Sequence, residues 1–125
     1  MKEMALVIVP LLLAAVAMVW PSQRTRPWLL PIGGAIHTLV VSALVVRPSV
    51  EPVNAWFGLD TVARAVLPMV SLLFLVCSAY AVAYLRIRAE QSNRLFVAML
   101  FSLHALFSFA LQARHLGLLW IGVEA

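Results

Sequence analysis

Residues 61–85 read TVARAVLPMVSLLFLVCSAYAVAYL. This run carries one charge, Arg64, a single turn from its start. A helix needs about 20 apolar residues to cross a hydrocarbon core about 30 Å thick, and a longer one tilts. The run therefore reads as a membrane-spanning helix. Asp60 and Thr61 stand where its N-terminus begins, so the Asp60 carboxylate is expected to cap it. Arg64 is close enough to the end to snorkel toward headgroups. Pro68 predicts a kink of the kind membrane helices tolerate. Tyr80 and Tyr84, four residues apart near the far end, suit the membrane interface. Cys77 is the single cysteine, so it forms no internal disulfide and has no metal-ligand spacing around it. It reads as a small packing residue.

The pattern repeats on both sides of this run. Apolar stretches at 4–20, 28–46 and 95–112 are also of helical length, and another begins at 116. Of the 125 residues, 64% are hydrophobic and only 11% are charged. A soluble domain has about 25% charged residues. The expected fold is an all-α polytopic transmembrane helix bundle with four full spans and the start of a fifth. It forms one membrane domain over 1–125. The bilayer, of a cell (inner) membrane, is the first partner this implies.

The first run invites a second reading, because Ala15-Val16-Ala17 resembles a signal-peptide cleavage site. Lys2 is offset by Glu3, however, and Arg24 and Arg26 follow the run. Both features favour a retained helix. Pro10 lies within it as a tolerated kink.

The connections carry the charge. Pro21 to Pro27 is a short turn. Arg47 to Asp60 is the longest connection, with Trp56 and Phe57 at interface depth. Arg86 to Arg94 is polar. The net charge of +4 is thus a topology signal. No basic run interleaved with aromatics suggests nucleic acid. Arg24, Arg26, Arg86, Arg88 and Arg94 lie on one side, against Lys2, Arg47, Arg64 and Arg114 on the other. That weak bias places the two arginine-rich turns inside and the N-terminus outside.

No phosphate loop, nucleophilic serine motif, CxxC or HExxH is present. The histidines are too scattered to suggest a haem pair, so no cofactor, metal or catalytic site is expected. Gly33 and Gly34 permit close helix contact in the second run. Thr38 and Ser42 share a face there, and His37 is a lone imidazole. In the fourth run His104, Ser108 and Gln112 fall four apart on one face, which His115 roughly continues. Such a face turns toward other helices, since lipid offers no hydrogen bonds. Interhelical bonding is the plain role for it. A proton relay is the sharper one, because imidazole changes charge near neutral pH. The same pair of roles applies to His37.

The last stretch, Leu116 to Ala125, holds one carboxylate, Glu124. Eight helical steps of ~1.5 Å put it ~12 Å deep, near the bilayer centre. An ionisable group there costs at least about 2.5 kcal/mol and is a functional candidate. A helix stopping at mid-membrane would leave up to four carbonyls unpaired. The chain is therefore expected to be the N-terminal portion of a longer subunit.

The order of features is familiar. Trp56-Phe57-Gly58-Leu59-Asp60 opens a helix that passes Phe74, Tyr80 and Tyr84. A basic turn and a fourth helix follow, and then Leu118-Leu119-Trp120-Ile121-Gly122-Val123-Glu124-Ala125. This resembles the N-terminal part of the antiporter-like membrane subunits of respiratory complex I (NADH-quinone oxidoreductase). It is still more similar to the related subunits of hydrogenase-4-type formate hydrogenlyases. Mrp-type sodium/proton antiporter complexes share the module. The resemblance implies a role in proton passage coupled to redox chemistry in other membrane and peripheral subunits. It implies a fifth-helix glutamate, matched by Glu124, paired with a lysine on a later helix. That lysine has no counterpart here, since Lys2 is the only lysine. The expected proton-translocation residues are Glu124 first, then His104 and His37. Two other readings stand beside this one: a subunit of a cation/proton antiporter without a redox partner, and a small membrane scaffold or assembly protein.

Overall fold

The computed structural model describes residues 4–47, 56–88 and 90–125. The described residues form five helices: α1 (Ala5–Val19), α2 (Leu29–Val46), α3 (Thr61–Ile87), α4 (Arg94–Gln112) and α5 (Leu116–Glu124). A single 3₁₀ turn, Arg26–Trp28, leads into α2. There is no strand among the described residues. Phe57 and Ala113 form an isolated antiparallel bridge.

Three helical stretches are long and apolar enough to cross a membrane: Arg26–Val46, Thr61–Ile87 and Arg94–Gln112. Their mean hydropathies are 2.1, 2.2 and 1.9. The expected fourth full span is not established. α1 has 15 helical residues, which at ~1.5 Å each extend only ~22 Å. Pro10 and Pro68 are accommodated inside α1 and α3.

Helices α1 to α4 run up and down around a common axis. α1 packs chiefly on α4, and α2 packs chiefly on α3. α5 turns back along the outside of α4. Small residues make the close approaches. A Cβ on Gly33 would sit 2.6 Å from Phe101 Cε1 and 2.7 Å from Leu13 Cδ1, so any larger residue where α1, α2 and α4 converge would have to displace those side chains. Large apolar side chains such as Leu39, Met69, Leu72 and Leu103 point outward and are exposed. That is the inverse of a soluble bundle and suits a lipid solvent.

The interior is layered. One apolar cluster joins Ala14, Ala17, Leu30, Ala81, Leu85, Val97 and Phe101. A second joins Leu6, Val41, Ala63 and Leu67 at the opposite end. Helix by helix, the residues between them are His37, Ser71, His104 and Ser108, and all four are buried.

Both ends of the bundle are tied. At the arginine-rich end, buried Arg26 donates from Nη1 to Asn93 Oδ1 at 2.7 Å and from Nη2 to the Trp20 carbonyl. Asn93 Nδ2 donates to the Gln23 carbonyl at 2.8 Å. The two basic connections therefore share one end, as the arginine pattern predicts. At the other end Asp60 caps α3 as expected, accepting from the Ala63 amide at 2.7 Å. Gly58 N–H donates to the Gln112 carbonyl at 3.0 Å, and Arg114 N–H to the Trp56 carbonyl at 2.9 Å. The Arg114 side chain lies across Gly58, where a Cβ would stand 3.0 Å from Nε.

Candidate functional site

The buried polar layer is built from one or two residues on each of α2, α3 and α4. His37 sits at mid-length on α2, where lipid offers its ring nothing to bond. Its Nδ1 meets Ser71 Oγ of α3. Its Nε2 meets Ser108 Oγ of α4 at 3.1 Å. Ser108 also donates its hydroxyl to the His104 carbonyl one turn earlier, at 3.0 Å. A serine has one O–H to give. With that hydrogen on the carbonyl, Ser108 accepts from His37 Nε2–H, and Ser71 donates to Nδ1. The network fits a neutral His37 with its proton on Nε2.

His104 lies against this pair. Its ring centroid is 4.1 Å from that of His37, edge to face at 65°. Its other contact is a stack on Phe74, 4.0 Å between centroids and 16° between planes. His104 Nε2 is buried and has no hydrogen-bond partner among the described residues. Buried polar atoms nearly always find one, so this nitrogen is the open hydrogen-bonding valence of the layer. Gln112 extends the polar column by another turn. Its Nε2 donates to the Ser108 carbonyl at 2.9 Å, while its buried Oε1 is likewise unpartnered among the described residues.

The sequence-predicted residues divide into two groups. His37 and His104 come together, and Ser108 joins them. The face His104-Ser108-Gln112 turns inward, as its spacing predicts. His115 does not continue it. α4 ends at Gln112, and His115 is the exposed N-cap of α5, accepting from the Gly117 amide at 3.2 Å beside Trp56. Ser71 had no signal in sequence beyond being a hydroxyl in an apolar run. Thr38 and Ser42 bond back to the carbonyls of Gly34 and Thr38 on their own helix, each at 2.8 Å. Cys77 is exposed and is not an interior packing residue.

Glu124 is apart from the histidine layer. It occupies the last turn of α5 and is exposed. α5 runs back along α4 with Gly122 pressed on Phe109 and Ala110, where a Cβ would be 2.9 Å from Phe109 Cδ1. A groove between α4 and α5 is lined by Ser102, Leu103, Leu106, Val123 and Ala125. Glu124 follows two residues after the Gly122 contact, about 3 Å further along α4, and its side chain is exposed, apart from the buried histidines.

No protein-family model, curated protein or solved structure matches this chain.

Proposed function

We propose that this chain is part of a proton-translocating membrane subunit of an oxidoreductase complex, of the hydrogenase-4 and NADH-quinone oxidoreductase type. In this reading α1 to α4 all cross the cell (inner) membrane, with α1 completed by its flanking residues. The arginine-rich end faces inward. The reading rests on the resemblance carried by Trp56–Asp60 and Leu118–Ala125 and, chiefly, on the buried His37–His104 pair. Two imidazoles in contact, with serine hydroxyls on both nitrogens of one and an open nitrogen on the other, are suited to pass a proton. The apolar clusters above and below them suit a gated path.

Glu124 supplies the second proton-handling group. In this reading it lies within the bilayer, and its exposed side chain faces outward, toward neighbouring helices of the complex. A carboxylate there needs a movable counter-charge, since an unpaired ion in the bilayer centre is costly. Such a partner comes from outside the bundle described here. The electron-transfer chemistry belongs to other subunits.

The test is proton uptake into proteoliposomes holding the assembled complex, read with a pH-sensitive dye. His37→Phe combined with His104→Phe is expected to lower the redox-driven rate at least tenfold while the complex still assembles. An unchanged rate overturns the assignment. Uptake driven by a sodium gradient, without any redox partner, would instead select the cation/proton antiporter reading.

A further inference from the structure

The arginine-rich end holds a recess of about 690 Å³, enclosed by Gln23, Arg24, Pro27, Leu85, Arg86 and Asn93. Its residues come from the α1–α2 connection, the end of α3 and the head of α4. The recess is formed only once all of these meet.

Its chemistry is one-sided. Arg24 and Arg86 are exposed at its rim. The Arg86 guanidinium lies 5.2 Å from the Trp28 ring centroid, which holds that cation in place. Arg26 is buried against the recess wall, bound through Asn93. Arg88 and Arg94 lie in the same connection, and Glu90 is the single acid there. Five positive charges against one negative leave this end strongly basic. Among the described residues, no carboxylate lines the recess.

Its setting is interfacial. The recess opens at the helix ends, beside Trp20 and Trp28, which are 38% and 46% exposed. Half-exposed tryptophans at a helix end mark headgroup depth. Leu85 gives the recess an apolar wall on the α3 side.

We propose that this recess binds the phosphate-bearing headgroup of an anionic phospholipid. Arg24 and Arg86 contact the phosphate. The Gln23 and Asn93 side of the recess faces the glycerol oxygens, and the acyl chains pass outward over the apolar helix surface. A zwitterionic headgroup is disfavoured, because its ammonium would meet arginines and no acid. Basic pockets between helix ends are a recurring way of holding such lipids. The proposal depends on the chain being a membrane protein and is independent of its role in proton transfer.

The experiment is native mass spectrometry of the purified protein in detergent micelles. It is titrated separately with phosphatidylglycerol, phosphatidylcholine and inorganic phosphate. Phosphatidylglycerol is expected to bind at least tenfold better than phosphatidylcholine. Arg24→Gln with Arg86→Gln should lose about tenfold of that binding. Arg24→Lys with Arg86→Lys should keep most of it. Arg47→Gln with Arg114→Gln, at the opposite end, should leave it unchanged. Arg24→Gln alone, on an exposed side chain, gives the same reading at about threefold should the double variant unfold. Three results overturn the proposal: phosphatidylglycerol binding unaltered by loss of Arg24 and Arg86, equal loss from the Arg47 and Arg114 pair, or binding of inorganic phosphate with no preference for phosphatidylglycerol.

Discussion

His37 of α2 and His104 of α4 meet edge to face at the centre of the bundle, with ring centroids 4.1 Å apart. They are not equivalent. His37 is bonded through both ring nitrogens, whereas His104 Nε2 has no partner among the described residues.

That asymmetry predicts an order of stabilities. His37→Phe keeps an aromatic ring but strips Ser71 and Ser108 of their shared partner. Interhelical bonds in membranes contribute about 0.6–1.7 kcal/mol each, so a loss of about 1–3 kcal/mol is expected. His104→Phe preserves the stack on Phe74 and should cost less. Unfolding followed by circular dichroism in mixed micelles ranks the two. A larger cost for His104→Phe would contradict the bonding described.

A second prediction concerns Glu124. On the proposed proton-translocating role, Glu124→Gln should reduce proton translocation by the complex at least tenfold and leave subunit assembly intact. Its side chain is exposed on the bundle, so local folding does not depend on it. Normal pumping by this variant would remove Glu124 from the path.

Packing at Gly33 yields a third. An added methyl meets Phe101 and Leu13 at under 3 Å. Overpacking of this kind costs about 1–3 kcal/mol. Gly34→Ala meets Phe74 and Leu75 at 3.2–3.3 Å and should cost less. A thermal melt of the two variants in the same detergent distinguishes them, and equal midpoints would argue against the convergence of α1, α2 and α4 at Gly33.

Arg26 gives a fourth. Asn93→Ala leaves a buried guanidinium without its Oδ1 acceptor. A hydrogen bond to a charged group contributes about 1.5–3 kcal/mol. Adding Arg26→Met to that variant should recover part of the loss, because an apolar side chain asks for no acceptor. Melting temperatures of the two single variants and the double variant decide it. A double variant no better than Asn93→Ala would mean that Arg26 is not the group left stranded.

Much of this architecture was legible in the residues themselves. Each described helix starts and stops within a residue or two of its apolar run, because in lipid the backbone has no alternative to helix. Asp60 announced its cap, and the four-residue spacing of His104, Ser108 and Gln112 announced an inward face. The meeting of His37 with His104 and Ser71 was not legible. It depends on which helices are neighbours, and spacing along a chain carries no information about contacts across it. His115 failed as an extension of the same face for a local reason: the helix stops three residues earlier. Nor did one-dimensional reading show that Glu124 faces away from the histidines, since its direction follows from how Gly122 seats α5 on α4.

The backbone pairing of Trp56 and Gly58 with Gln112 and Arg114 has a consequence for biogenesis. The segment that introduces α3 is fastened to a turn made more than fifty residues later in synthesis. That clasp closes only after the whole of α4 and the turn beyond it have been made. Packing of α2 on α3 and closure of this rim are therefore separate events: His37 can meet Ser71 before Gln112 has been made, whereas the clasp at Trp56 and Gly58 cannot yet form.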